Sequence, residues 1–435
     1  MIQYPFLLEK TMLERGIPEE LGLSSSRLNR ITVWLNEQIE SERLAGASAM
    51  ICRNGKIGYL ESAGQSDLEN GKPFDASTIV RIFSMTKPIT SVAAMMLYEE
   101  GRYQLDDPVA KYLPEFTDTK VWKGEGSLEN VEDQTSPMLV KHLLMHTSGL
   151  TYGFMNSNVV DQEHRDQKIE FPGTAATLEE LVKRLAGIPL IAQPGTQWNY
   201  SVSTDVLGRL VEVWSGSSLE TFFEKRILEP LGMHDTGFAV AEGNKDRFAA
   251  LYSPLSGADM SNVGKKSVAG IQQVKPGLKL QEPAATSRYL KPVKLFSGGG
   301  GLTGTIGDYA RFCQMLLNGG ELDGERLLSP ITVNYMRSNQ LPDNADMAAM
   351  GQPVWSETSY DGIGFGLGFA VVIDPPKASI ITSVGEHHWG GAASTFFWID
   401  PQEDLFVVFF TQLMPSSTYP IRRELRTRVY QAIVE

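Results

Sequence analysis

The chain has 435 residues, of which 42% are hydrophobic and 21% charged, and its formal net charge is −13. That length predicts a large buried core in two or three structural units, and the acidic balance argues against nucleic acid or an anionic membrane surface as a partner. The two cysteines, Cys52 and Cys313, fit neither a disulfide framework nor a cysteine metal cluster. No apolar run approaches the roughly 18 residues of a membrane span, and the N-terminus lacks the features of a signal peptide, so we expect a soluble, cytoplasmic protein.

The pattern of apolar residues along the chain predicts β-rich ends around a mostly helical middle. A helical stripe covers residues 25–42, and two strand-like runs then flank Asn54-Gly55, a dipeptide typical of tight hairpin turns. Helical patterns follow at 84–100, 138–146, 177–186, 203–215 and 219–228, the last with Ser217 to Glu220 as a capping box. Near the C-terminus the strand patterns are "FGLGFAVVID" (365–374), "SIITSVGE" (379–386), "ASTFFWIDP" (393–401) and "DLFVVFFTQ" (404–412), before an amphipathic segment at 420–434.

These patterns predict an α/β (α+β) fold in which N- and C-terminal strands share one antiparallel sheet flanked by helices. We expect a discontinuous sheet domain formed by residues 1–83 and 292–435, and a mostly helical second domain at 84–291. Two long polar segments, 154–176 and 252–291, are rich in Gly, Pro and Asn. Segments of that length are usually functional or mobile, so they are candidates for the walls of an active site.

Ser84 and Lys87, in the segment "RIFSMTKPIT" (81–90), are spaced as neighbours on one helix face, with side-chain roots about 5–6 Å apart. At a helix start the Ser84 N–H can stabilise an oxyanion, while the hydroxyl can act as a nucleophile beside the lysine amine. Lys87 would act as a base only if burial or a second cation favoured its neutral form. The pair alone is a weak signal, because an N-cap serine and an exposed lysine give the same spacing more often.

Two further segments carry residues suited to the same chemistry. Tyr200, in "PGTQWNYSVSTDVLG" (194–208), follows a Pro-Gly turn and precedes a helix, so its phenol can enter a cleft as a proton relay. A buried, hydrogen-bonded tyrosine is the commoner alternative. In "HHWGGAASTFFWID" (387–400), Gly390 and Gly391 open a strand and leave bare backbone that a ligand can approach, with a bulge as the alternative.

Together, Ser-x-x-Lys at a helix start, a tyrosine 116 positions later (200 − 84) and a Gly-Gly strand near the C-terminus resemble the serine β-lactamase and penicillin-binding superfamily. Within it the chain looks most like class C β-lactamases and their esterase relatives, the family VIII carboxylesterases, which implies a β-lactamase-like fold. Matching stretches cover most of the chain: "LDDPVAKYLPEF" (105–116), "LLMHTSGL" (143–150), "PGTQWNYS" (194–201), "PLGMHDTGF" (230–238) and "SGGGGLTGTIGDYARF" (297–312).

The resemblance implies a role for each matching residue. Ser84 would be the nucleophile and Lys87 its hydrogen-bonded partner, and Tyr200 would act as the general base or share that role. Ala392 would give the second N–H of the oxyanion hole, opposite that of Ser84. Which of Lys87 and Tyr200 is the primary base stays open, because their titrations would be coupled.

Two departures from the β-lactamase pattern bear on the substrate. Trp389-Gly390-Gly391 stands where β-lactamases have Lys-Thr-Gly, so an apolar stacking face replaces the lysine that attracts a substrate carboxylate. Val202 stands where they carry an amide-binding asparagine, and it cannot hydrogen-bond an acylamino group. We assign Trp389, Gly390, Gly391 and Val202 to the substrate site and do not expect efficient β-lactam turnover.

The resemblance therefore implies a serine carboxylesterase that hydrolyses short-chain esters through an acyl-enzyme, with at most weak β-lactam hydrolysis. The alternatives are a β-lactamase or D-amino-acid peptidase, an acyltransferase, and a penicillin-binding protein that acylates without turnover. A small-molecule ester is the expected partner, with no nucleic acid, membrane, metal or cofactor, and the oligomeric state stays open. We expect structural roles for His142 and His146 instead of metal binding, and a loop feeding a helix at 299–304 instead of a dinucleotide site.

Overall fold

The computed structural model describes residues 12–170, 176–255, 276–351 and 360–435. The α-helices in these ranges are α1 Ser25–Glu40, α2 Thr86–Glu99, α3 Val140–Leu144, α4 Val159–Asp166, α5 Leu178–Leu185, α6 Ser203–Ser215, α7 Leu219–Phe223, α8 Ile306–Leu317, α9 Pro330–Met336, α10 Met347–Met350, α11 Pro375–Ala378 and α12 Ile421–Tyr430. The strands are β1 Gly46–Arg53, β2 Lys56–Asp67, β3 Lys72–Pro73, β4 Val80–Arg81, β5 Val121–Trp122, β6 Val131–Glu132, β7 Leu251–Pro254, β8 Leu278–Glu282, β9 Thr303–Gly304, β10 Glu321–Leu322, β11 Glu325–Arg326, β12 Ile363–Phe365, β13 Ala370–Val372, β14 His387–Gly390, β15 Phe396–Asp400 and β16 Leu405–Thr411.

The largest sheet joins the two ends of the chain. Its eight strands run in the order β12-β13-β14-β15-β16-β1-β2-β3, and β1 pairs antiparallel with β16 so that Ala47 lies opposite Thr411. The β1–β2 hairpin turns at Asn54 and Gly55, whose φ angles of 52° and 75° are those of a tight turn with left-handed central residues. The predicted antiparallel sheet of N- and C-terminal strands is confirmed.

Helices cover both faces of this sheet, so its central strands lack the apolar–polar alternation of a half-exposed sheet. All seven residues of β16 are buried. On one face, α1 and α12 contribute Ile31, Leu35 and Leu425 to a core that includes Phe409. On the other face a larger core unites the sheet with α8 and the helical middle of the chain. The architecture is an antiparallel sheet flanked by helices, as the sequence predicts.

The central helix α2 is buried on all sides and not only along one stripe. Every residue from Thr86 to Leu97 is buried, including the predicted apolar positions between Ile89 and Leu97. A single 3₁₀ turn, Phe83–Met85, precedes the helix, and Gly101, with φ of 72°, follows its last turn. A helix enclosed in this way holds its first turn, and therefore Ser84, in one place.

Several boundaries differ from those predicted from the sequence. The segment 379–386 is not a strand, because left-handed backbone at Ser379 and Gly385 interrupts it and Ile381 and Val384 are exposed. The segment 365–374 belongs to two strands, β12 and β13, joined by a turn at 366–369. The predicted helix at 219–228 continues beyond Phe223 as a π-helical turn, and its cap is Ser218, which accepts from Thr221 N–H instead of pairing with Glu220.

The two long segments contain regular structure. Helix α4 lies within 154–176, and strands β7 and β8 of the segment 252–291 pair with each other, while residues 171–175 and 256–275 lie outside the described ranges. The domain boundaries at 83/84 and 291/292 stay a prediction. No helix in the described part of the chain is long and apolar enough to cross a membrane.

Candidate active site

Ser84 sits in a strained turn at the entrance to the central helix. Phe83, the residue before it, has φ of 42°, a left-handed conformation that a phenylalanine adopts only under constraint from its surroundings. β4 ends at Arg81, and the 3₁₀ turn that carries Ser84 begins two residues later. The turn leaves Ser84 partly exposed, whereas Met85 and the residues after it are buried. The serine therefore faces a cavity while its helix is fixed in the core.

The structure brings Ser84, Lys87 and Tyr200 together. Tyr200 Oη lies 2.6 Å from Ser84 Oγ, and Lys87 Nζ lies 3.2 Å from the same oxygen. The Lys87 ammonium also lies 4.6 Å from the centroid of the Tyr200 ring. Tyr200 reaches this position because it ends the connection that precedes α6, as its Pro-Gly turn indicates. A hydroxyl with two such neighbours can lose its proton during attack on a carbonyl carbon.

Lys87 is almost fully buried and is surrounded by oxygen atoms. Its side chain belongs to a residue that is 2% exposed, and Nζ donates to Tyr152 Oη at 3.0 Å and to Gly299 O at 2.7 Å, besides Ser84 Oγ. Three acceptors match the three hydrogens of an ammonium group. Neither Tyr152 nor Gly299 could be assigned to the site from the sequence, because neither lies in the motif that carries Ser84 and Lys87.

A buried carboxylate stands behind these acceptors. Asp205 Oδ1 accepts from Gly299 N–H at 3.0 Å and from Ser297 Oγ at 2.5 Å. Burial raises the pKa of Asp205, while the positive charge of Lys87 acts in the opposite direction. A Cβ at Gly299 would come within 2.5 Å of Asp205 Oδ2, so this close approach requires glycine. Gly299 therefore connects the two side chains: its carbonyl oxygen accepts from Lys87, and its N–H donates to Asp205.

Tyr152 differs from Tyr200 in its surroundings. Burial, followed by the proximity of Tyr200, raises the pKa of Tyr152 well above its usual range, so Tyr152 stays a neutral phenol. Its ring stacks on Phe154 with a centroid separation of 4.6 Å and lies 5.2 Å from the Tyr200 ring. The Tyr152 hydroxyl therefore accepts a hydrogen bond from Lys87, and the Tyr152 ring packs with Phe154 and Tyr200.

Strand β14 ends at Gly390, so the two glycines close a strand where the sequence predicts that they open one, and β14 brings them next to Ser84. Gly391 N–H donates to Thr395 O at 2.8 Å, and among the described residues no acceptor engages the N–H of Ala392. A Cβ at Gly391 would lie 2.3 Å from Ile82 O, next to the turn that carries Ser84. The bare backbone of this strand therefore approaches the nucleophile closely, as an oxyanion hole requires.

A cavity of about 490 Å³ lies over these groups. Its walls include Ser84, Tyr200, Trp389, Gly390, Gly391 and Ala392, together with Phe154 and Glu170 from the segment 154–176 and Glu282 and Arg288 from the segment 252–291. Trp389 packs edge-on against Phe365 and 5.4 Å from the Tyr200 ring. The cavity walls are thus strongly aromatic on the side that carries Tyr200.

Val202 does not line this cavity, which corrects its assignment to the substrate site. Its side chain is fully buried in the large core, because Val202 caps α6 and its N–H donates to Thr151 O at 3.3 Å. A residue that begins a buried helix points inward, whereas Tyr200, two residues earlier, points toward Ser84. We therefore leave Val202 out of the site.

The histidines near the site are held by structural contacts. His142 Nδ1 accepts from Leu139 N–H at the start of α3, and burial lowers the pKa of His142 to about 4. His146 Nδ1 lies 3.2 Å from Ser201 Oγ, and burial together with Lys87 lowers its pKa well below the usual value. Both rings are therefore neutral at pH 7 and hydrogen-bonded within the fold, in line with the structural roles expected for them.

Comparison with known proteins gives a consistent result. A family model described as Beta-lactamase matches residues 33–431. The chain is similar to Esterase EstB of Burkholderia gladioli, with 32% identity over 95% of this chain and 98% of that one, and to Acyltransferase calJ of Penicillium decumbens, with 28% identity over 84% and 83%. Among solved structures it resembles EstCE1, described as a hydrolase with promiscuous acyltransferase activity, with 27% identity, a TM-score of 0.74, and coverage of 93% of this chain and 99% of that one.

Proposed function

The chain belongs to the beta-lactamase family of serine hydrolases, and from this premise we propose that it is a carboxylesterase that hydrolyses short-chain esters through an acyl-enzyme. One observation carries the proposal: Ser84 Oγ is shared by Tyr200 Oη and Lys87 Nζ beside the backbone of β14. The similarity to Esterase EstB over nearly the whole chain supports an ester as substrate.

In the first half of the reaction, Ser84 Oγ attacks the ester carbonyl carbon as its proton passes to the phenolate oxygen of Tyr200. The carbonyl oxygen becomes an oxyanion and accepts from the N–H groups of Ser84 and Ala392. The carbon–oxygen bond to the alcohol then breaks, and the departing alkoxide takes the proton from Tyr200. Ser84 is left acylated, and the alcohol leaves the cavity.

In the second half, water gives a proton to Tyr200 and attacks the acyl carbon. The bond to Ser84 Oγ breaks, the serine recovers the proton from Tyr200, and the acid is released. Lys87 takes no part in these proton transfers, because all three of its N–H donors are engaged by oxygen acceptors. Its positive charge stabilises the negative charge that forms on the Tyr200 oxygen, so we assign Tyr200 as the primary base.

The residue at position 389 supports esters over β-lactams. Trp389 lines the cavity with an apolar face, where a lysine would be needed to hold the carboxylate of a β-lactam in place of water. An alcohol or acyl group can pack on the indole without such a partner. We propose that β-lactam hydrolysis is weak or absent for this reason.

The test is hydrolysis of p-nitrophenyl acetate and butyrate by the wild type and by Ser84→Ala, with the cephalosporin nitrocefin in parallel. We expect ester turnover that falls by a factor of about 10⁴ or more in Ser84→Ala, and slow nitrocefin cleavage by the wild type. Turnover of the esters by Ser84→Ala at the wild-type rate would refute the site. Nitrocefin turnover as fast as that of the esters would favour a β-lactamase or peptidase, and a burst without turnover would favour a penicillin-binding protein.

Acyl transfer is a second candidate, supported by the similarity to Acyltransferase calJ and EstCE1. An alcohol can replace water in the second half of the reaction, and a cavity of about 490 Å³ can hold one beside the acyl group. We expect ester products when p-nitrophenyl butyrate is hydrolysed in the presence of an added primary alcohol. Butyric acid as sole product at every alcohol concentration would restrict the activity to hydrolysis.

A further inference from the structure

Glu170 places a carboxyl group in the cavity wall. Burial raises the pKa of Glu170, while the Gly153 N–H and the charge of Arg165 act in the opposite direction. Its side chain is 19% exposed, and Oε1 accepts from Gly153 N–H. No lysine or arginine nitrogen among the described residues lies within ion-pair distance of it. The guanidinium of Arg165 binds Gly153 O and Gln162 instead. His164 Nδ1 lies 3.8 Å away, but burial lowers the pKa of His164 to about 4, so this ring is neutral.

The wall beside Glu170 consists of aromatic rings. Tyr152 stacks on Phe154 at 4.6 Å with an interplanar angle of 21°, and the series continues through Tyr200 at 5.2 Å from Tyr152 and Trp389 at 5.4 Å from Tyr200. All four rings line the cavity. Aromatic faces beside an unpaired carboxylate are the features by which proteins bind organic cations.

The lysine of the active site does not remove this preference. Lys87 Nζ donates to Tyr152 Oη and lies 5.3 Å from the Tyr152 ring centroid and 4.6 Å from the Tyr200 ring centroid. Glu170 instead accepts from the backbone N–H of Gly153, between Tyr152 and Phe154, so an ammonium subsite beside it lies at the Phe154 end of the aromatic wall. The length of the tyrosine side chain therefore lies between the two charges. Lys87 is also enclosed by three oxygen acceptors, with Asp205 behind one of them. The arginines that line the cavity, Arg288, Arg422, Arg423 and Arg426, belong to other elements.

We propose that Glu170 and the aromatic wall formed by Tyr152, Phe154, Tyr200 and Trp389 are a subsite for an ammonium group, so that the enzyme prefers esters that carry a cation. The inference rests on the proposed function and narrows its substrate class. The cation can belong to the acyl part or to the alcohol part of the ester, and paired substrates distinguish these two sources.

Binding of choline and of its neutral isostere 3,3-dimethylbutan-1-ol, measured by calorimetry, tests the subsite without turnover. We expect the wild type to bind choline about tenfold more tightly, as a cation beside aromatic faces and a carboxylate predicts. In Glu170→Gln, which keeps an acceptor for Gly153 N–H, the difference should largely disappear. Glu229→Gln is the control, because this exposed carboxylate pairs with Lys225 and does not line the cavity, and it should keep the wild-type ratio. If Glu170→Gln does not fold, Phe154→Leu replaces it and should reduce the ratio several-fold.

Hydrolysis of paired charged and neutral esters shows whether the subsite binds a cation in the alcohol part or in the acyl part of the substrate. Acetylcholine is compared with 3,3-dimethylbutyl acetate, and p-nitrophenyl 4-(trimethylammonio)butanoate with p-nitrophenyl 5,5-dimethylhexanoate. A preference in kcat/KM of about tenfold for the cation in either pair, lost in Glu170→Gln, supports the inference. Equal rates in both pairs, equal binding of choline and its isostere, or a preference that persists in Glu170→Gln would overturn it. Failure of p-nitrophenyl acetate hydrolysis would instead refute the proposed function, and the binding measurement would still decide on the subsite.

Discussion

The two tyrosines that meet Lys87 and Ser84 have different tasks in the proposed reaction. Tyr200 lies within hydrogen-bond distance of the nucleophile, whereas Tyr152 accepts a hydrogen bond from the lysine. The pKa of Tyr152 is raised well above its usual range by burial and by Tyr200, so it holds its proton. Tyr200 therefore moves the proton, and Tyr152 is a positioning residue that keeps Lys87 in place.

Substituting each tyrosine by phenylalanine tests this difference. Tyr200→Phe removes the proton acceptor and should lower kcat for p-nitrophenyl acetate by about 10²–10⁴-fold. Tyr152→Phe removes one of three acceptors of a buried ammonium and should lower kcat by only about tenfold. Steady-state kinetics on the two variants, with circular dichroism to verify folding, gives the comparison. A larger loss in Tyr152→Phe than in Tyr200→Phe would reverse the assignment of the base.

The strand β14 and the helix α12 are joined by a buried charge cluster. Glu386 is fully buried; its Oε1 accepts from Arg426 Nη2 at 2.9 Å and lies 2.7 Å from His388 Nδ1. Although burial raises the pKa of Glu386, the charges of Arg426 and His388 outweigh it and lower the pKa to about 2. The carboxylate is therefore ionised at neutral pH and links the sheet to its covering helix.

Local patterns in the sequence do not predict this cluster, and one of the wrongly predicted strands ends at it. The Asn54-Gly55 hairpin could be predicted because a turn depends on its own residues. The segment 379–386 has the composition of a strand, but it ends at a glutamate that pairs with Arg426, 40 residues further along the chain. Contacts between distant segments decide such a case, and they are not visible in a short window.

Glu386→Gln should destabilise the protein by about 3 kcal/mol, because it leaves the buried Arg426 without its anionic partner. Urea unfolding at pH 7 measures the free energy. Glu229→Gln is the control: it breaks the exposed pair with Lys225, whose side chains are 51% and 56% exposed, and should not shift the midpoint measurably. Equal midpoints for the two variants would show that the Glu386 cluster does not stabilise the fold.

The fold as a whole determines which parts of the site the sequence could reveal. Ser84, Lys87 and Tyr200 lie in recognisable segments, so their convergence could be predicted from resemblance. Tyr152 and Gly299 accept from Lys87, and Asp205 accepts from Gly299, only because three separate segments pack around α2. Their residue types are common in loops and helix starts, and only the tertiary structure brings them together.

A buried carboxyl group in α8 predicts how the free energy of unfolding changes with pH. Asp308 is 2% exposed, and its Oδ2 accepts from Asp235 N–H and Thr236 Oγ1, each at 2.8 Å. Burial, with a contribution from the charge of Asp235, raises its pKa to about 7. Below about pH 4 the group is protonated in both the folded and unfolded states. As the pH rises toward 7 only the unfolded state ionises, so the stabilisation that the protonated group contributes is progressively lost.

Asp308→Asn should remove this part of the pH dependence. The difference in unfolding free energy between Asp308→Asn and the wild type should grow in favour of the variant between pH 4 and pH 7, by an amount on the order of 4 kcal/mol, and then level off. Urea unfolding of both proteins at four pH values across this window measures the difference. The titration of Glu386, whose pKa is lowered to about 2, does not interfere, because it contributes equally to both proteins and cancels in the difference. Asp246→Asn, at a side chain fully exposed to solvent, should show no such trend.

The contradicting outcome is a difference for Asp308→Asn that stays constant from pH 4 to pH 7. It would mean that the buried carboxyl is already ionised in the folded protein, and that its hydrogen bonds from Asp235 and Thr236 outweigh the effect of burial on its pKa.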